Sequence, residues 1–260
     1  MSIVLALISV LAIDSDLKSI ISLILVIVIS IIYIIIFIYK FKKIKKCNRI
    51  TLNFDSSTIN IYEGDIFDIQ NNGFKIIAFN EYFDTITDDE SHIIDPNSLH
   101  GKYLNKFYEN NDSRDAFHKK VISQLRENKV YTNINRKKGY KEAYELGTLL
   151  VDGEYLLLSF TKFDDDNRAH IKYSEMVNAF IKMWFNIDKV KGNKKVYLPL
   201  IGSGITRFDD GYVSNQEILI ALIETFRISR VRFRHPANVN ILLHNSNSEI
   251  DLASIKEIYK

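Results

Sequence analysis

The chain has 260 residues, 47% of them hydrophobic and 25% charged, with a formal net charge of +2. Its one cysteine, Cys47, excludes an internal disulfide and a cysteine-based zinc site, as fits a reducing compartment. Residues 1–49 hold seven Lys/Arg and two Asp, a balance of +5, which leaves about −3 for the remainder; a slightly acidic remainder argues against general nucleic-acid binding, where clustered cations must neutralise phosphates.

In chain order, Met1–Ile13 is an apolar run followed by Asp14, Ser15, Asp16 and Lys18. A helix of that length reaches only about 20 Å, short for a span. Two readings stay open: a short first helix of a membrane hairpin, or an interfacial segment. Ser19–Tyr39 is different, with 21 residues and no charge. As a helix it covers about 30 Å, the thickness of the hydrocarbon core. Its Ile and Val content favours a strand in water, but lipid requires every backbone group to bond within the segment, so a helix is expected. A cleaved signal peptide fits poorly, because the run lacks a basic start and leads through bulky residues straight into lysines. A buried core helix also fits poorly, since 21 residues pass without a charge. Lys40, Lys42, Lys43, Lys45, Lys46 and Arg49 follow at once, and basic flanks stay in the cytoplasm. The sequence therefore predicts a membrane region over 1–40, a basic linker over 41–50, and a cytoplasmic domain over 51–260 held at the cell (inner) membrane. The lysine cluster also suits anionic lipid headgroups.

Beyond residue 50 about 210 residues remain, enough for one well-cored domain. Ile59–Tyr62 reads as a strand ending at Gly64-Asp65, and Phe74–Asn80 as a buried strand. Leu99–Tyr108 and Asp115–Glu127 carry helical spacing. Glu145–Val151 and Glu154–Thr161 flank Asp152-Gly153, a hairpin signal. Ser174–Asp188 reads as an amphipathic helix, Lys195–Pro199 as a strand, Asn215–Arg227 as a helix and Val239–His244 as a last strand. Buried strands separated by helices indicate an α/β sandwich with a mixed sheet.

The stretch Val196–Phe208, VYLPLIGSGITRF, carries the chemistry. A strand runs into Gly202-Ser203-Gly204. Glycines there let the backbone approach an anion, and consecutive N–H groups form a nest for phosphate at a strand's carboxyl end. No Gly-Lys-Ser/Thr follows, so this is not a Walker loop. At Gly64-Asp65-Ile66 an Asp at a strand end can accept from an exocyclic amine while the Ile66 N–H donates to a ring nitrogen, a pair that suits adenine. His92, His100, His118, His170, His235 and His244 are scattered and show no metal-ligand spacing, and Asp164-Asp165-Asp166, which could mimic a metal cluster, reads better as a solvated loop.

Together these motifs resemble a macro domain, a family that binds ADP-ribose and related molecules in a three-layer α/β/α fold. Gly64, Asp65 and Ile66 match the end of the family's first strand. Ala78-Phe79-Asn80 matches its Asn-rich motif in part, and Leu146-Gly147-Thr148 its middle strand. Pro199, Leu200, Gly202, Ser203, Gly204, Ile205 and Phe208 match its late glycine loop. The resemblance implies that Asp65 and Ile66 read adenine, that Gly202, Ser203, Gly204, Ile205 and Thr206 wrap the diphosphate, and that Phe208 packs on the distal ribose. Arg207 replaces a small residue common in the family and either pairs with phosphate or is solvated. The departures are FNEYFDT in place of Asn-Ala-Ala-Asn and the absence of a following Gly-Gly, for which His100-Gly101 is the nearest candidate.

Membrane helices joined to a divergent macro domain resemble the membrane effectors of type II Thoeris antiphage systems. That resemblance implies no cofactor and no catalysis. It implies a signal derived from ADP-ribose, such as histidine–ADP-ribose, made by a partner TIR-domain enzyme. Binding would assemble the chain into a homo-oligomer and disrupt membrane lipids. Asn80–Thr85, His100 and Asp164–His170 are then candidates to read the group beyond the distal ribose. A membrane-anchored ADP-ribosyl hydrolase using Asn80 is the alternative reading.

Overall fold

In a computed structural model, which describes residues 15–45, 48–69, 73–87, 93–244 and 249–260, the chain divides into two units, one ending at Asn48 and one spanning Arg49–Lys260. The run Met1–Ile13, Cys47 and His92 lie outside the described residues.

The first unit contains helix α1, Ser15–Lys45. Its Ser19–Ile38 stretch is long and apolar enough to cross a membrane, and none of it is buried within the protein. The Ser22 and Ser30 hydroxyls donate to the carbonyls of Ser19 and Val26 at 2.9 and 2.8 Å, so both hydroxyls are satisfied within the helix. The helix runs six residues past the expected span, into the lysines expected to be a linker.

The second unit is built on a nine-stranded mixed sheet in the order β1-β2-β11-β9-β3-β7-β8-β10, with β6 also paired to β7. The strands are β1 Arg49–Phe54, β2 Ser57–Glu63, β3 Gly73–Asn80, β6 Leu149–Asp152, β7 Tyr155–Phe163, β8 Ala169–Ile171, β9 Lys195–Pro199, β10 Arg207–Phe208 and β11 Asn238–Leu243; β4 Lys129–Thr132 and β5 Glu142–Tyr144 form a separate antiparallel ribbon. Strands β2, β11, β9, β3 and β7 run parallel, so their carboxyl ends line up along one rim. The expected hairpin forms, with Asp152 opposite Tyr155, but its first arm starts at Leu149 and not at Glu145, because Leu146-Gly147 is a turn with Gly147 at φ +86°.

Helices cover both faces. On one face α4 (Tyr173–Lys191) packs on α5 (Asn215–Ser229), where Trp184 Nε1 donates to Thr225 Oγ1 at 3.1 Å and its ring meets Phe226 edge-on. The short α6 (Leu252–Ile258) closes this side, with Tyr259 against Phe54. On the other face α2 (Leu99–Phe107) and α3 (Asn111–Leu125) bring Tyr103, Leu104, Phe117 and Val121 onto Ile77, Phe79 and Leu157. The result is the expected three-layer α/β/α sandwich. Strand β3 is buried along nearly its whole length, which explains its mostly apolar sequence; Lys75, the charge within it, is paired with Glu154 at 2.8 Å. Helix α3 begins four residues before the predicted Asp115, because Asn110 and Ser113 form a reciprocal capping box there.

Candidate ligand-binding cleft

A cleft of about 870 Å³ lies along the carboxyl ends of the parallel strands. Strand order sets its layout: the Gly64 turn follows β2, the Gly202 turn follows β9, and Asn80 ends β3. Ligand crevices of open α/β sheets form at such ends because the following loops splay apart there.

At the β2 end, Gly64 N–H still bonds Leu243 O at 3.1 Å and Ile66 is buried in the core. Asp65 is exposed, and its Oδ1 accepts from Phe67 N–H at 2.8 Å. That bond holds the carboxylate in place and leaves Oδ2 without a partner among the described residues.

In the middle, Gly202 adopts φ +95°, the left-handed region open chiefly to glycine. Ser203 closes the turn, its N–H and hydroxyl both donating to Leu200 O at 3.3 and 2.7 Å. Gly204, Ile205 and Thr206 have no hydrogen-bond partner among the described residues, so three consecutive N–H groups are available as a nest. Beyond them the chain is anchored. Strand β10 pairs with β8, His170 Nδ1 lies 3.0 Å from Asp209 Oδ2, and Asp210 accepts from Tyr173 N–H at 3.0 Å. Arg207 is exposed on the cleft wall with no carboxylate partner among the described residues.

At the β3 end the polar groups are buried. Asn80 Nδ2 donates to Asp84 Oδ2 at 2.7 Å, and its Oδ1 accepts from Asp84 N–H at 3.1 Å. The Asp84 carboxylate also takes both terminal nitrogens of Arg136, at 3.0 and 2.7 Å, and Tyr140 N–H at 2.7 Å. The His100 ring lies against Phe79, centroids 3.5 Å apart and planes tilted by 34°, with its Nε2 2.9 Å from Asp84 O. A carbonyl only accepts, so Nε2 carries the proton and Nδ1 is left as an acceptor. Burial pulls the His100 pKa down to about 3, against a smaller upward push from that hydrogen bond, so the ring is neutral at ordinary pH.

The structure thus brings Gly64, Asp65, Ile66, Asn80, His100, Leu200 and the whole 202–207 loop to one cleft. Two expected members stand outside its lining. Gly101 is buried in α2, where an added Cβ would meet Asp95 O at 2.2 Å, so its role is close packing of the helix on the Asp95-Pro96 turn. Phe208 lines a second hollow of about 490 Å³, together with Tyr212 and Ile218, which shares the glycine loop with the cleft. Of the segments expected to read a distal group, Asp84 and Thr85 are buried and internally bonded, while Asn167 and Arg168 do line the cleft. Sequence reasoning missed the Ile93–Ser98 wall; its signal was Asp95-Pro96-Asn97-Ser98, a turn in which Asp95 Oδ1 accepts from Asn97 N–H at 2.8 Å and Ser98 caps α2. Among the described residues no group of three or more His, Cys, Asp or Glu is placed to hold a metal ion.

Comparison with known proteins adds to this geometry. Residues 59–244 match the family model described as Thoeris protein ThsA, Macro domain. Thoeris protein ThsA of Bacillus amyloliquefaciens (strain Y2) is 39% identical over 215 residues, which are 82% of this chain and 71% of that protein. Among solved structures, a single-residue mutant of the Oceanobacillus iheyensis macrodomain with ADPR superposes with a TM-score of 0.53 at 11% identity, over 81% of this chain and 98% of that one. The same macrodomain with ADP gives 0.52 at 12%, over 81% and 96%. At such identities the likeness is one of fold.

Proposed function

Since the chain belongs to the Thoeris ThsA macro-domain family, we propose that its 49–260 unit is the sensor of an antiphage membrane effector, binding a signal derived from ADP-ribose. The observation that carries this reading is the convergence on one cleft of the Asp65 carboxylate, the free N–H groups of Gly204, Ile205 and Thr206, and the polar cluster at Asn80. The order suits a nucleoside diphosphate sugar: an amine acceptor, then an anion nest, then a polar end. The relation to solved macrodomains with ADP and ADPR supports the same ligand class. Histidine–ADP-ribose supplied by a TIR-domain enzyme is the signal we favour.

The sensor role is preferred to hydrolysis because Asn80 has both ends of its amide occupied by Asp84. The Ser19–Ile38 helix supports a membrane setting, with the lysine-rich flank placing the sensor on the cytoplasmic side of the inner membrane. Ligand then drives the chain to an assembled, membrane-disrupting state, which requires tighter binding to that state than to the resting one.

The test is calorimetric titration of the full chain in lipid nanodiscs with ADP-ribose and its histidine conjugate, beside dye release from vesicles carrying the protein. Binding of either, weakened by Asp65→Ala, with release on ligand addition, is expected. No heat with either compound would sink the reading.

A further inference from the structure

Asn167 stands in the turn between β7 and β8 with φ +58°, a left-handed conformation that asparagine tolerates better than most residues. Asp164 builds that turn. Its Oδ1 accepts from Asp166 N–H and Arg168 N–H at 2.9 and 2.8 Å, and its carbonyl accepts from Asn167 N–H at 2.9 Å. The turn carries the Asn167 side chain to Arg136, whose Nη2 lies 2.8 Å from Asn167 Oδ1. A guanidinium only donates, so the amide oxygen must face it and the NH2 is the end left over. That NH2 has no partner among the described residues, and Asn167 lines the cleft.

Arg136 is not free to release this orientation. It is held by Asp84, donates to Tyr140 O at 2.5 Å, and lies 3.9 Å from the centre of the Tyr82 ring. Through the same Asp84, Asn80 and His100 join Asn167 at one end of the cleft. Strand order puts the Gly202 turn between that end and Asp65. A ligand with its base at Asp65 and its diphosphate at the glycine loop presents its far sugar to these three residues.

We propose that Asn167 is a specificity-determining residue of the cleft, its side-chain NH2 donating to an oxygen or unprotonated nitrogen of the ligand portion beyond the diphosphate. The inference rests on reading the cleft as an ADP-ribose-type site.

The test compares ADP with ADP-ribose on the full chain in nanodiscs, by calorimetry. Asn167→Asp is nearly isosteric and keeps an oxygen for Arg136 while exchanging the NH2 for an acceptor. It is expected to weaken ADP-ribose about tenfold, the order of one unmade hydrogen bond, and to leave ADP unchanged. General repulsion by the new carboxylate would act the other way, because ADP carries more negative charge than ADP-ribose. Asn167→Gly, which accepts the same φ, is expected to reproduce the selective loss without added charge. An unchanged ADP-ribose to ADP ratio in both variants, or a parallel loss of both ligands, would overturn the role of Asn167 alone. A wild-type chain that binds neither nucleotide would overturn the reading of the cleft itself and the proposal with it.

Discussion

The guanidinium of Arg136 forks onto the carboxylate of Asp84, with Nη1 3.0 Å from Oδ1 and Nη2 2.7 Å from Oδ2, both side chains buried. Two parallel charge-assisted bonds fix a relative orientation as well as a distance. This pair joins the β4–β5 ribbon, which carries Arg136, to the rim of the sheet, which carries Asp84. It also holds Asn80 directly and Asn167 through the guanidinium.

Removing one partner strands the other. Asp84→Ala leaves a buried guanidinium without its counter-charge and frees Asn80 Nδ2 and Tyr140 N–H. The expected cost is roughly 3–5 kcal/mol, the range for breaking a buried ion pair. Urea unfolding of the detergent-solubilised chain, followed by the fluorescence of buried Trp184, measures it. A loss under about 1 kcal/mol, the range of exposed pairs, would mean the pair is solvated.

Gly202→Ala separates backbone geometry from packing. An added Cβ would meet the Phe160 ring carbons at 3.4 Å and Ile218 Cδ1 at 3.9 Å, ordinary contacts, but φ +95° is strained for any residue with a Cβ. The strain costs about 1–3 kcal/mol and is relieved by turning the loop, which re-aims the three free N–H groups. The variant should keep native circular dichroism and lose ADP-ribose binding. Wild-type affinity in a folded Gly202→Ala chain would remove the loop from the anion site.

His100 predicts an acid limb of stability. The folded ring binds a proton only near pH 3, whereas the unfolded side chain does so near 6.5. Between those values the unfolded chain holds the extra proton, so stability falls as pH drops from about 6.5 toward 3, by up to about 1.4 kcal/mol per pH unit. His100→Gln retains an N–H donor for Asp84 O but does not titrate. Urea midpoints of both proteins between pH 4 and 7 should show a shallower slope for the variant; parallel slopes would place His100 in water.

Asp152, at the β6–β7 turn, lies at the end of β7 away from the cleft. Its Oδ2 accepts from Tyr103 at 2.5 Å and from Tyr108, and its Oδ1 from Lys120. Burial pushes its pKa up, but the hydrogen bonds from Lys120, Tyr103 and Tyr108 outweigh it, and the net shift is downward. The stability it contributes is therefore present above the ordinary carboxylate range and lost as pH falls through the lower folded value. Asp152→Asn should destabilise the chain by about 1.5–3 kcal/mol at pH 7, the range for bonds to a charged group, and by less at pH 3. ADP-ribose affinity at saturating stability should not change; a coupled loss would show that the two ends of β7 communicate.

Much of the frame was legible in the residues themselves. The Phe74–Asn80 run is mostly apolar because β3 is buried in the centre of the sheet, its one charge, Lys75, being paired with Glu154, and Asp152-Gly153 announces its hairpin through the turn's own backbone demands. Gly202 marks its turn for the same reason. Strand β1 escaped notice although Ile50, Leu52 and Phe54 alternate with exposed residues, a period-two signal; the other missed strands carry little local signal. The β4 strand is exposed at all four residues, Val130 and Tyr131 included, so no alternation of buried and exposed positions betrays it. Strands β8 and β10 have three and two residues, too short for any period.

The apolar, uncharged Ser19–Tyr39 run and the glycine turn are consequences of composition and local backbone chemistry, and both can be read along the chain. The polar end of the cleft cannot. Asp84, Arg136 and Asn167 are separated by 52 and 31 residues, and none stands in a motif that predicts the others. Only the folded sheet brings them within hydrogen-bond reach. Burial then forces each donor onto an acceptor, because an unpaired polar group costs too much away from water, and that requirement decides which atoms of Asn80, His100 and Asn167 remain to meet a ligand.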